Sequence, residues 1–370
     1  MKLSCTAIEL SMAVAAAKKA ISGRSSFPVL GCAYIVATDD GVHVEGQDLE
    51  TGSIRARVAG AISDENGAAA VNATVLADAL KRMAGDVVID VRDGRMVSLS
   101  SGTGSYTLNG HDPEDWPMPK TPSDAPCVVT INGAELGAAI DRVAYAASTD
   151  QTRPILTGVH ISTDGGSTIT MAATDTYRLA EAQVRAARPV APAGAIIPLR
   201  AMNGVRELLV GDDEVEIAIF ERCAVVRMGD RLTVRAPLIE GEFPRYRKMV
   251  DAHNAAGHVV LSRDALVGAL KQALIVARHD ANRVVLSPGD GMDVRASATD
   301  IGDAHCSIGV LAAENPDACV IGFNARYLLD AIEHAGDRVR ISCESPHNAA
   351  LITDDGATAP VCMLSPMQMV

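Results

Sequence analysis

The residues best placed for chemistry in this 370-residue chain are Gly110-His111-Asp112 and Arg278-His279-Asp280, where an imidazole stands beside a carboxylate. Either pair is half of an acid-base or metal site. Neither has a third ligand nearby, and the nine histidines form no H-x-x-x-H or other ligand spacing. No G-x-x-x-x-G-K-[ST], G-x-S-x-G or G-x-G-x-x-G in a βαβ setting occurs, so the phosphate-cradling loop, the nucleophile elbow and the dinucleotide fingerprint are missing. Asp-rich tips such as Asp39-Asp40-Gly41 and Asp354-Asp355-Gly356 are too short for a calcium loop and read as hairpin turns. The eight cysteines stand singly, as buried thiols of a reducing compartment do. The sequence thus predicts no catalytic residue, no metal and no cofactor.

What remains is cationic charge in an unexpected place. The net charge of −13 argues at first against nucleic acid, but the ligand responds to the face it meets rather than to the total. Six segments of helical periodicity (6–24, 74–84, 133–147, 200–209, 262–278 and 324–334) hold twelve Lys or Arg against eight Asp or Glu, or +4, leaving −17 for the rest. Lys18, Lys19, Arg24, Lys81, Arg82, Arg142, Arg200, Arg206, Arg263, Lys271 and Arg278 lie on or beside them. Sharing one surface, they would attract phosphate without reading bases. The alternative is a set of separate solvated helix faces.

The elements that must position these cations repeat. VNATVLADALKRMAGDVVIDV from Val71 returns as IIPLRAMNGVRELLVGDDEVEIAI from Ile196 and VIGFNARYLLDAIEHAGDRVRISC from Val320, a period of about 125 residues. Each copy is an apolar run, an amphipathic helix (Leu76, Leu80, Met83; Met202, Val205, Leu209; Leu328, Ile332, Ala335), a Gly-Asp pair with Gly in the left-handed region, and an alternating strand. A second helix precedes it in every third, with one register: Leu10, Val14, Ala17, Ile21; Leu136, Ile140, Val143, Ala147; Leu266, Leu270, Ala273, Ala277. Thr6 with Glu9 and Asn132 with Glu135 have capping-box spacing, and Ser262 is the corresponding N-cap. Hairpins follow, ending in Gln47-Asp48-Leu49, Thr174-Asp175-Thr176 and Thr299-Asp300-Ile301.

Two Pro-rich breaks, His111 to Pro126 and Glu240 to Gly257, separate the thirds; Asp115-Trp116-Pro117 and Glu242-Phe243-Pro244 read as aromatics tacking each linker to a domain. The prediction is an α+β chain of three domains, 1–122, 127–248 and 257–370, each with two helices on antiparallel sheets. With 48% apolar but only 3% aromatic residues, the cores rest on aliphatic side chains. No apolar window reaches the ~18 residues of a membrane span, and the N-terminus lacks a signal-peptide run, so a cytoplasmic protein with no membrane role is expected.

The threefold unit, together with SGRSSFPVLGC at Ser22, RPILTGVHI at Arg153, ATDTYRLA at Ala173, GEFPRYRKM at Gly241, IGFNARYLLDAI at Ile321 and SPM near the C-terminus, resembles the bacterial DNA polymerase III sliding clamp, the beta subunit. The resemblance spans the chain in order. It implies DNA-clamp domains in a closed ring, made as a head-to-tail homodimer that encircles duplex DNA without sequence preference. The ring would tether the replicative polymerase for processive synthesis, as a non-catalytic subunit of a nucleotidyltransferase holoenzyme. Its partners would be the polymerase catalytic subunit, the clamp loader and other clamp-binding peptides.

By position, the resemblance assigns DNA contact to Arg24, Gln151, Arg153 and Arg200, and Lys81, Arg82 and Arg206 join them from the helix charges. It assigns a hydrophobic partner cleft to Leu156, Thr174, Tyr177, Arg178, Leu179, Pro244, Met249, Met363, Leu364, Pro366 and Met367, with Arg178 orienting a peptide carboxylate or carbonyl. Met363 to Met367 read equally as an edge strand completing the last sheet. Tyr106 and Leu108 of one protomer against Ile275 and Val276 of the other would close the ring. Tyr177 stands where a His is common in the family, and Ser365 and Gln368 replace a Met and an Arg, so partner preference stays open. An additional clamp with altered partners, a β-rich binding module, and a metal enzyme using Asp112 or Asp280 are the competing readings.

Overall fold

The protein is described by a computed structural model covering residues 1–21, 27–49, 52–92, 95–102, 104–118, 122, 126–356 and 362–369. Seven helices lie among these residues: α1 (Ala7–Lys18), α2 (Ala73–Leu80), α3 (Gly133–Ala144), α4 (Leu199–Leu208), α5 (Arg247–Asp251), α6 (Arg263–Ala277) and α7 (Ala325–Glu333). All but the short α5 are anticipated by apolar spacing. The shared register of α1, α3 and α6 points inward: Leu10, Val14 and Ala17 of α1 are buried, as are Leu136, Ile140 and Val143 of α3 and Leu266, Leu270, Ala273 and Ala277 of α6. Among the described residues every strand pair with a defined register is antiparallel.

Chain contacts divide the molecule into two compact units. The first comprises Met1–Gly137, Asp164–Ser167 and Ala186–Ile239. Its sheet has thirteen strands, in the order Cys127–Asn132, Glu214–Ile219, Cys223–Met228, Leu232–Pro237, Gly52–Arg57, Gly41–Asp48, Cys32–Thr38, Gly67–Asn72, Gly104–His111, Met96–Ser101, Asp86–Arg92, Lys2–Thr6 and Ile62–Glu65. The second comprises Ala138–Thr163, Thr168–Arg185 and Glu240–Val370. Here the strands run Gly158–Thr163, Thr168–Thr174, Arg178–Arg185, Cys362–Leu364, Ala350–Asp354, Arg338–Cys343, Gly257–Ser262 and Val310–Glu314. A separate four-stranded sheet runs Gly302–Ile308, Met292–Ala298, Arg283–Pro288 and Ile321–Asn324.

The repeat is visible in a backbone bond that sequence does not announce. The first N–H of α1, α3 and α6 donates to the carbonyl of Gly85 (2.9 Å), Asp213 (2.8 Å) and Asp337 (2.9 Å) in the turn that follows the other helix of its repeat. That turn thereby satisfies one of the four orphan donors at each helix start. Thr6 caps α1 by accepting from Glu9 N–H at 3.2 Å, and Asn132 accepts from Ala134 and Glu135. Ser262 differs from expectation: it makes no side-chain cap, so α6 starts on the Asp337 carbonyl bond alone. Gly85 (φ 72°) and Gly211 (φ 54°) occupy the left-handed region. Gly336 does not; its N–H is held by the Asp354 carboxylate at 2.6 Å, which fixes the turn without a positive φ.

The linker aromatics are anchors. Trp116, only 3% exposed, stacks on Tyr34 with ring centroids 5.0 Å apart, and Phe243 stacks on His160 at 4.8 Å.

Candidate functional site

The strand Arg178–Arg185 carries the site, because alternation sends its two residue sets to opposite faces. Leu179 pairs with Thr174 on one side and with Met363 on the other, and Met363 pairs with Leu351. This gives one lateral row, Thr174-Leu179-Met363-Leu351. The neighbouring row on the same face is His160-Ala172-Glu181. Phe243 lies over His160, Tyr246 meets Phe243 edge-on at 6.1 Å, and Tyr246 Oη donates to Glu181 Oε2 at 2.8 Å. Ala172, Leu179, Tyr246 and Met363 form one apolar cluster, with Phe243, Val250 and Leu351 packed against it.

The result is an apolar floor beside a wall made by residues 243–250, with polarizable, flexible sulfur side chains at floor and rim. Met249 and Tyr177, each 63% exposed, and Pro244 are open to solvent, whereas Thr174, Leu179 and Met363 are buried. Leu156 is buried in the short 3-10 turn Pro154–Leu156. In the Tyr177 loop Asp175 Oδ1 accepts from the N–H of Tyr177 and Arg178 at 2.9 Å, and Thr176 adopts φ 79°.

Two predicted cleft residues face elsewhere. Arg178 pairs with Leu364, and both lie on the opposite face of the strands from Leu179 and Met363. Leu364 is fully buried in the core of the C-terminal region and lines no groove. The Arg178 side chain, 10% exposed, bonds Asp175 (3.0 Å) and Asp330 of α7 (2.6 Å), with Tyr327 and Tyr145 rings 4.2 and 5.3 Å from its guanidinium carbon. Its guanidinium is thus already bonded to two carboxylates within the chain. Nor is Cys362–Leu364 an edge strand: it lies between Arg178–Arg185 and Ala350–Asp354. Beyond it Ser365 N–H donates to the Tyr177 carbonyl and Met367 N–H to Gly322, so Pro366 and Met367, half-buried, belong to a tail seated on the fold.

The equivalent place in the first repeat shows what makes this one a cleft. There the matching rows are Tyr34-Glu45-Arg55 and Gln47-Ser53-Arg235. Gln47 is tied to the Pro117 carbonyl at 2.6 Å, and Trp116 covers Tyr34. One fold thus supplies a polar surface covered by Trp116 in the first repeat and an apolar one packed under Tyr246 in the second.

The DNA-assigned residues are exposed or partly so. Lys81 and Arg82 end α2, with Lys81 paired to Asp78 at 2.9 Å. Arg200 begins α4, pairs with Asp48 at 3.6 Å and reaches the Ile21 carbonyl. Arg206 lies six positions on, beside Gly137 of α3, and therefore on another side of α4. Gln151 and Arg153 are exposed in the second unit, and Arg24 falls outside the described residues. Of the ring-closing set, Ile275 is 59% exposed on α6 and Val276 packs partly on the core. Tyr106 and Leu108 sit on Gly104–His111, which pairs fully with Met96–Ser101 but touches Gly67–Asn72 only through Gly110 and His111.

Sequence reading missed Glu181, Tyr246 and Leu351. A carboxylate among the alternating small residues Ala180 and Ala182 was the available clue, since a buried acid requires partners. Among the described residues no three His, Cys, Asp or Glu side chains are grouped as metal ligands, and no helix is long and apolar enough to cross a membrane.

Three family models match in order: the N-terminal domain of the DNA polymerase III beta subunit over residues 1–120, its central domain over 130–245 and its C-terminal domain over 252–368. The beta sliding clamp of Synechocystis sp. is 26% identical over 400 residues, covering 100% of both chains. That of Streptomyces coelicolor is 28% identical over 341 residues, covering 90% of this chain and 88% of its own. Among solved structures, the DNA polymerase sliding clamp of Bacillus subtilis superposes with a TM-score of 0.92 at 23% identity over 100% of both chains. The DNA polymerase III subunit beta of Pseudomonas aeruginosa gives 0.92 and 23%, again over all of both chains. With three consecutive domains matched, the chain belongs to the DNA polymerase III beta subunit family.

Proposed function

We propose that the protein is a sliding clamp that closes as a head-to-tail dimer around duplex DNA and tethers the replicative polymerase, itself without catalytic chemistry. The observation that carries this reading is the pattern of strand seams. Gly52–Arg57 of the first repeat pairs with Leu232–Pro237 of the second, and Arg178–Arg185 of the second with Cys362–Leu364 of the third. The corresponding strand of the third repeat, Gly302–Ile308, ends its sheet, and the corresponding strand of the first, Gly104–His111, is open along Gly104 to Asn109. Two such edges on one chain suit a heterologous contact, which makes a ring when the rotation closes. Tyr106 and Leu108 would meet Ile275 and Val276 of the second copy beside that seam.

On this reading the domains are 1–122, 127–248 and 257–370, and the compartment is the cytoplasm. Arg24, Lys81, Arg82, Gln151, Arg153, Arg200 and Arg206 would touch phosphates weakly, so that the ring slides. Polymerase, clamp loader and other clamp-binding peptides would seat an apolar anchor on Leu179 and Met363. The test is topological: the protein is loaded with its clamp loader on nicked circular DNA and the circle is then cut. Loss of the protein on linearisation is the expected result; retention would mark a groove binder and overturn the reading.

A further inference from the structure

Glu181 is an unusual residue for the centre of a sheet. Its side chain is 1% exposed, and both carboxylate oxygens are used: Oε2 accepts from Tyr246 Oη at 2.8 Å, and Oε1 meets Arg247 Nη2 at 2.8 Å. Burial first, and then the Glu181 carboxylate, push the Tyr246 phenol well above its usual range, so it remains a donor. Both partners lie on the segment that forms the cleft wall. The fold does not demand an acid there, because the first repeat carries Arg55 at the same register. A buried carboxylate is costly to desolvate, and hydrophobic replacement of such a pair is often neutral or stabilising, so stability gives little reason to keep it.

We infer that Glu181 is a positioning residue for the partner cleft: it latches Tyr246 and Arg247 and thereby fixes the Pro244 to Met249 wall at a set distance from Leu179 and Met363. Charge-assisted bonds are short and directional, which is what holding a wall against a flexible apolar floor requires. The inference rests on the reading of this groove as the partner site. A wall free to move would leave the floor intact but cost ordering entropy each time a peptide binds.

The experiment measures binding of a labelled peptide from the polymerase catalytic subunit to the full-length dimer. Glu181→Leu and Tyr246→Phe should each weaken binding, Glu181→Leu by about tenfold or more, with dimer mass retained in both and the unfolding midpoint lowered in Glu181→Leu, which strands the Tyr246 hydroxyl, but not in Tyr246→Phe. The two losses should be non-additive, since either change opens the same latch. Glu181→Gln, which still accepts from Tyr246, should recover most of the affinity. Wild-type affinity in Glu181→Leu and Tyr246→Phe would overturn the inference, as would a loss that simply tracks the unfolding midpoint across the three variants. Should Glu181→Leu not fold, Tyr246→Phe and Glu181→Gln decide by the same criteria. Failure of the unaltered protein to bind the peptide, while still loading on circles, would instead overturn the cleft reading itself.

Discussion

At Arg178, five donors meet two carboxylates and two aromatic rings, and the side chain is nearly excluded from water. Removing one member of a buried ionic cluster leaves the others desolvated, which is where such clusters become expensive. Arg178→Ala should therefore lower stability by about 3 kcal/mol, read as a shift of the urea midpoint at constant slope. Arg178→Lys should recover little, because an ammonium lacks the planar fork that reaches Asp175 and Asp330 together. His160 supplies a pH dependence. Burial lowers its pKa from the ordinary 6.5, so the folded protein holds the neutral ring against Phe243. A base whose folded pKa is depressed binds its proton more readily when unfolded; its contribution is present above the ordinary value and is lost as the pH falls through and below 6.5. His160→Phe should flatten the stability profile between about pH 7 and 5, measured by thermal unfolding in a pH series.

Helix starts separate what periodicity can disclose from what it cannot. The i, i+4, i+7, i+11 registers placed α1, α3 and α6 because burial of an apolar stripe dominates where a helix lies. Capping depends on one side-chain hydrogen bond, which Thr6 makes and Ser262 does not. Thr6→Ala should cost about 1 kcal/mol, whereas Ser262→Ala should stay within about 0.5 kcal/mol; chemical denaturation of both variants makes the comparison. The same limit governs the cleft. Leu179, Met363, Pro244 and Met249 were legible in the sequence as apolar residues in family motifs, but sidedness was not. Arg178 and Leu364 are adjacent in sequence to Leu179 and Met363, and a single step along a strand sends a side chain to the other face. Glu181 was missed because its partners, Tyr246 and Arg247, lie 65 residues away or more on a segment whose short helix has too few turns to show a period. Arg24 lies in the stretch outside the described residues, so its assignment rests on the family resemblance alone.

For the whole molecule, acidity and DNA contact are compatible. Exposed cations such as Lys81, already paired with Asp78, would give a weak and salt-screened attraction on the proposed reading, which suits a ring that must move along its track. Ring closure itself should hinge on a small apolar contact. Ile275→Arg should convert the dimer to monomer in sedimentation and abolish retention on circular DNA, while peptide affinity at the cleft stays within about twofold, since Ile275 belongs to neither apolar cluster and, among the described residues, shares no partner with Leu179 or Met363. A mutant that remains dimeric would show that the open strand edges alone hold the seam.

The seam between Arg178–Arg185 and Cys362–Leu364 also sets a schedule for synthesis. Its two strands are separated by about half the chain, and at the usual translation speed of roughly 5 to 20 residues per second the second emerges on the order of ten seconds or more after the first. During that interval the Arg178–Arg185 edge has its Thr168–Thr174 neighbour but not its other one, and an unpaired edge invites pairing with another nascent chain. Polysomes carrying many copies of this message would then be the place of greatest aggregation risk, and a ribosome stalled short of Cys362 would leave a product permanently exposed to chaperones and proteases.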